Sequence, residues 1–128
     1  MPEYLRFQTS MRCQQNGYSL GLFQAAGRLR DDSEVEPQLE VMFDETLDWF
    51  NQVLPVPRRF LINGESVFWY QTGSNEFMQR MWDLAGVLIL HAIQVKMIRT
   101  TDPGMITYRD DYQIAAIPNR NIRRALRV

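Results

Sequence analysis

The sequence predicts an α+β fold: a single domain with about three helices packed on a mainly antiparallel sheet, ending in a C-terminal three-stranded meander. Three observations carry this expectation. Residues 37–54 and 75–92 repeat apolar side chains at helical spacing. β-prone runs such as Val67-Phe68-Trp69-Tyr70 lie between and around them. After residue 92 three more such runs follow, joined by turns too short for crossover helices, which excludes a continuous parallel sheet. A chain of 128 residues fits one domain and buries roughly two thirds of its unfolded surface without a metal or disulfide.

Taken in order, Tyr4 to Thr9 alternates and reads as a first strand, and Gln14-Gln15-Asn16-Gly17 as a loop. Ser19 is placed to cap a helix over 20–30, with Leu22, Ala25, Ala26 and Leu29 on one face. Gly21 and Gly27 weaken that helix and allow a close approach to a neighbour. Ser33 and Glu36 have capping-box spacing before Pro37, and a helix follows over 37–54 until Leu54-Pro55-Val56-Pro57 stops it. Phe60-Leu61-Ile62, Asn63-Gly64 and 65–71 read as a hairpin. Ser74 is the expected cap of the helix over 75–92, the most apolar element, in which Trp82 and Ile89 are expected in the core. Strands are expected over 93–99, 105–108 and 112–117, with a type II turn at Asp102-Pro103-Gly104. The domain is expected over 1–118, with 119–128 an arginine-rich tail, either a short amphipathic helix or a frayed end.

Composition bounds function more by exclusion. Cys13 is alone, so neither an intrachain disulfide nor a cysteine zinc site is available, and a reducing cytoplasm is the expected setting. The N-terminus lacks the apolar core of a signal peptide, and the longest apolar run is Leu84 to Leu90, far short of a membrane span. The net charge of −1 hides segregation: +3 over 1–30, −8 over 31–57, +1 over 58–98 and +3 over 99–128. Thirteen of the fourteen bases are Arg, which suits carboxylate and phosphate contacts, although a GC-rich genome gives the same bias.

One pattern runs through most of residues 20–117. It comprises Gly21-Leu22-Phe23-Gln24-Ala25-Ala26-Gly27-Arg28-Leu29, Leu47-Asp48-Trp49-Phe50-Asn51 and Leu54-Pro55-Val56-Pro57. It continues through Phe68-Trp69-Tyr70, Arg80-Met81-Trp82-Asp83-Leu84, His91, Met97-Ile98-Arg99-Thr100, Pro103-Gly104, Tyr108 and Asp110-Asp111-Tyr112-Gln113. This resembles small bacterial proteins of unknown function. The resemblance implies a free-standing small protein and brings no activity, cofactor or partner.

No catalytic, cofactor or metal residue is assigned from sequence. The glycines form no phosphate loop, and Ser10, Ser19 and Ser66 lie in no nucleophile elbow. The single His91 with Asp110 and Asp111 is the one acid–base or metal grouping worth weighing, against ordinary roles at a helix end and in a turn. Cys13 has no adjacent base to activate it. Phe68, Trp69 and Tyr70, with Arg59 and Arg99, suggest a platform for single-stranded nucleic acid, against core packing.

The expected function is therefore a non-catalytic protein-interaction or regulatory module. Its expected docking surface, for a partner or a second copy, is the acidic face Glu36, Glu40, Asp44 and Asp48. Nucleic-acid binding through Arg120, Arg123, Arg124 and Arg127 is the alternative, opposed by the acidic middle segment.

Overall fold

The computed structural model describes residues 2–14, 17–32, 35–55, 66–71 and 75–127. In chain order the elements are β1 (Tyr4–Arg12), β2 (Ser19–Gly21), α1 (Leu22–Asp31), α2 (Pro37–Val53) and β3 (Val67–Gln71). Then follow α3 (Asn75–Leu90), β4 (Val95–Thr100), β5 (Met105–Arg109), β6 (Gln113–Ile117) and α4 (Arg120–Leu126). The α+β class is as the sequence predicts, with four helices among the described residues against one six-stranded antiparallel sheet. The capping serines Ser33 and Ser74 and the Phe60–Gly64 half of the hairpin lie outside the described residues, as do Gln15 and Asn16 of the first loop.

β1 organises the sheet. Along one edge it pairs with β4 from Tyr4 to Thr9. Its other edge is divided: Tyr4 and Leu5 pair with β3, while Gln8 and Arg12 pair with β2 across a register shift. Beyond β3 come β6 and then β5. The last three strands are antiparallel but do not form the expected meander. β5 and β6 pair with each other, whereas β4 pairs with β1. Pro103-Gly104 explains the departure. Gly104 has φ +109 and packs so closely on the Ile117 carbonyl that a Cβ would collide with it. The link therefore delivers the chain to the end of β6 instead of folding it back on β4.

The alternation of the strands fills both faces. Leu5, Phe7 and Tyr70 join the larger core with Ala25 and Leu29 of α1, Phe43 and Phe50 of α2, and Phe77, Met81 and Leu84 of α3. Tyr4, Val67, Trp69, Ile114 and Ala116 point the other way and pack with Ile122 and Leu126 of α4. The arginine-rich segment is thus a helix laid on the second face. Asn119 caps it by accepting from the Ile122 N–H at 2.9 Å, and Gln8 Nε2 ties it to β1 by donating to the Ala125 carbonyl at 2.8 Å.

Three local readings are corrected. Ser19 is not a helix cap: Ser19–Gly21 pairs with β1, and α1 begins at Leu22 with Gly21 as its N-cap. Trp82 is not buried but 48% exposed, stacking edge-on against Phe7 at 4.8 Å. Ile89, on the same side of α3 one heptad later, is 55% exposed. The helix is apolar around more than its core-facing sector, and periodicity alone did not say which part faced the sheet. α3 also ends at Leu90 rather than 92. Ile93 N–H donates to the Leu88 carbonyl and Ala92 N–H to that of Ile89, a Schellman motif with Ala92 left-handed at φ +63. Among the described residues no helix is long and apolar enough to cross a membrane.

Ala92 holds a conformation that costs an L-residue about 1–2 kcal/mol and glycine little. Ala92→Gly is expected to stabilise the protein by about 0.5–1 kcal/mol after the glycine's greater unfolded-state entropy is allowed for. Urea denaturation with an unchanged slope checks it, and a loss of stability would contradict the strain.

Candidate functional site

The divided edge of β1 sets up the site. Between Leu5 and Gln8 no described strand pairs with that edge. The Arg6 side chain fills the gap. Its Nη2 donates to the Ser19 carbonyl of β2 at 2.7 Å and its Nη1 to the Phe68 carbonyl of β3 at 3.3 Å. Gly21 makes room, because a Cβ there would sit 3.1 Å from Nη1. This is the close approach that the glycines of this segment suggested, at one of the two positions.

Arg6 is 6% exposed, and no carboxylate among the described residues pairs with it. Its Nε–H has no acceptor among them either. A guanidinium carries five N–H groups. The two carbonyls therefore satisfy hydrogen bonds without supplying a counter-charge. Burial pushes the guanidinium down to about 10, with neighbouring Tyr70 acting in the opposite direction, so it stays protonated at neutral pH. Burial likewise pushes the Tyr70 hydroxyl above its usual value, against the pull of Arg6 and with Asp110 adding to the rise. Tyr70 is therefore a neutral hydroxyl beside a buried cation.

Above Arg6 opens a cavity of about 420 Å³ between α1, α2 and the sheet. Tyr70, Phe50, Phe23 and Phe68 supply aromatic surface, with Phe23 edge-on to Phe50 at 4.7 Å and to Tyr70 at 5.4 Å. Gly27 of α1 lines it with open space where a side chain would be. Exposed Arg30 and Asn51 stand at its mouth with half-buried Cys13. No Asp or Glu among the described residues lines it. The volume falls in the range of small-ligand pockets, and the mix of apolar wall with a few polar groups is their usual composition.

The groups singled out from sequence lie elsewhere or in structural roles. His91 Nδ1–H donates to the Val87 carbonyl at 2.8 Å, and its Nε2 accepts from the Glu36 N–H at 3.0 Å. The imidazole thus caps α3 and anchors the start of α2. Asp110 is a turn residue. Its Oδ1 accepts from the N–H groups of Tyr112 and Gln113, and its Oδ2 from the Tyr108 hydroxyl and Gln113 Nε2. His91 and Asp110 share no partner, Asp111 is exposed, and no three potential metal ligands gather among the described residues.

Trp69 is fully buried in the second core while Phe68 and Tyr70 line the cavity, so the three aromatics do not form one exposed platform. Arg99 lies on β4, across β1 from them, and pairs with Glu3 at 2.9 Å; Arg59 is outside the described residues. On α2, Glu36, Glu40 and Asp48 are exposed and Asp44 half-buried, and none has an ion-pair partner among the described residues. Val41 and Met42 lie exposed among them. Arg120, Arg123, Arg124 and Arg127 of α4 are exposed on the opposite face.

Asp110 reaches the site indirectly, since Gln113 Nε2 also donates to the Pro55 carbonyl at the cavity mouth. Desolvation raises the Asp110 carboxyl, but the Tyr108, Tyr112 and Gln113 hydrogen bonds outweigh it and hold the group below the usual range. A depressed carboxyl stabilises fully above its unfolded pKa, and the contribution is lost as pH falls through the folded value. Asp110→Asn is therefore expected to cost about 1 kcal/mol at pH 7, allowing for solvent screening, and nothing in acid. Thermal melts from neutral to acid pH check this, and a gap that does not close would count against it. No family model matches the chain, and no curated protein or solved structure is similar to it.

Proposed function

We propose that the protein is a non-catalytic regulatory module that works in the cytoplasm by holding a small ligand in the cavity between α1, α2 and the sheet. The observation that carries this reading is the buried Arg6 at the floor of an aromatic cavity, with no carboxylate among the described residues to match it. An uncompensated buried charge is costly, and a bound ligand that offset it would stabilise the folded state in proportion to its occupancy. The lining offers shape, apolar surface and hydrogen bonds, while His91 is engaged at the α2–α3 contact.

Gly27 provides the test. A leucine there enters the open space of the cavity and removes a helix-weakening glycine. Gly27→Leu is expected to leave stability unchanged or raise it by about 0.5–1 kcal/mol. Decanoate, used as a probe, is expected to raise the melting temperature of the parent protein and not of the variant. Equal shifts in both proteins, or no shift in either with decanoate, decanamide or decyl phosphate, would refute the reading.

The exposed α2 face supports a second reading, docking of a basic partner or a second copy. It has acids at i, i+4 spacing without ion-pair partners among the described residues, interleaved with exposed Val41 and Met42. Glu40→Gln with Asp44→Asn is expected to keep the fold and to relieve about 0.3 kcal/mol of repulsion per charged pair. It should also weaken any self-association measured by sedimentation at low salt. A stability loss of several kcal/mol would show an internal network instead.

A further inference from the structure

The floor of the cavity is specific enough to name the chemistry of its ligand, if that cavity is the binding site proposed above. Arg6 is the only base among the buried, described lining residues, and Arg30 at the mouth is exposed. One buried guanidinium offsets one negative charge. A dianionic phosphate would bring a second charge into a site with no second buried cation among the described residues. The terminal nitrogens each spend one N–H on a backbone carbonyl and keep another, and Tyr70 offers a neutral hydroxyl close by. A carboxylate accepts from such a set, and charge-assisted bonds of this kind are the stronger class.

The rest of the ligand follows from the walls. Phe23, Phe50 and Phe68 present hydrocarbon, with no acidic side chain among the described lining residues. At about 30 Å³ per water-sized unit of liquid volume, the 420 Å³ cavity takes roughly a dozen heavy atoms. We infer that the ligand is a monocarboxylate with an apolar body of medium chain length or one aromatic ring, and that Arg6 reads its head group.

The measurement is calorimetric titration at pH 7 with decanoate, decanamide and decyl phosphate, which share the body and differ in the head. Decanoate is expected to bind at least about tenfold more tightly than decanamide and no more weakly than decyl phosphate. Arg6→Met is expected to bring decanoate down to the level of decanamide while leaving decanamide unchanged. Arg6→Lys, which keeps the charge but not the planar fork, should fall between. If Arg6→Met does not fold, the acid-to-amide ratio in the parent and in Arg6→Lys decides the matter.

Equal binding of acid and amide to the parent protein would overturn the carboxylate inference and leave the cavity reading standing. Tighter binding of decyl phosphate would overturn it in favour of a phosphate head group. Failure of all three probes to bind, or decanoate binding undiminished in Gly27→Leu, would overturn both.

Discussion

The arrangement depends on one side chain placed where a strand would otherwise be. β1 shares one edge between β2 and β3, and such a division leaves carbonyls facing a gap. Buried carbonyls need donors. Arg6 supplies them to Ser19 and Phe68 and joins two strands that do not pair with each other. It packs closely on Gly21, where a Cβ would crowd the guanidinium, and Gly21 is also where β2 gives way to α1. The arginine thus packs on the residue that starts α1, and α1 in turn carries Phe23 and Gly27 over the cavity. A connection made to solve a backbone problem leaves a cation at the bottom of an apolar pocket.

The charge segregation of the sequence becomes a polarity across the sheet. The acidic α2 belongs to the helical layer, and the arginines of α4 lie on the other face. Neither group is consumed by ion pairs among the described residues; those present, Arg80–Glu76 and Arg99–Glu3, lie on α3 and at the β4 edge. Exposed pairs of that kind contribute under about 1 kcal/mol, so the fold rests on its two apolar cores. Opposite charges kept apart on opposite faces avoid internal neutralisation, and they give the molecule a direction in an external field.

Much of the fold was legible because local signals and tertiary packing agreed. The stripe Leu39, Phe43, Thr46, Phe50 and the stops at Pro37 and Pro55 delimit α2 closely. Asp102-Pro103-Gly104 marks the break between β4 and β5, with Gly104 left-handed, although the two strands do not pair across it. The failures share a cause. Ser19-Leu20-Gly21 is too short to announce itself as a strand, and it became one because β1 offered an edge. Trp82 sits on a helix so apolar that its period does not single out a buried side. Strand order was invisible because pairing of β4 with β1 is a contact between residues about ninety positions apart. Arg6 was hidden for the same reason. A single charge inside Tyr4-Leu5-Arg6-Phe7 reads as a solvent-facing position, and only the glycine at 21, meeting it in space, marks it as buried.

The pairing of β1 also orders events in time. β1 is made before the strands it pairs with at long range: its continuous partner is Val95–Thr100 and its shorter ones include Val67–Gln71. Until those segments are made, Leu5, Phe7 and the buried Arg6 have little to pack on, and the growing chain offers only the local β2 contact. The loop-closure entropy of joining the two ends falls late and together. Closure of the sheet around β1 is therefore deferred until Val95–Thr100 has been made, which leaves the apolar strand and the glycine-weakened helix open to misassociation in the meantime.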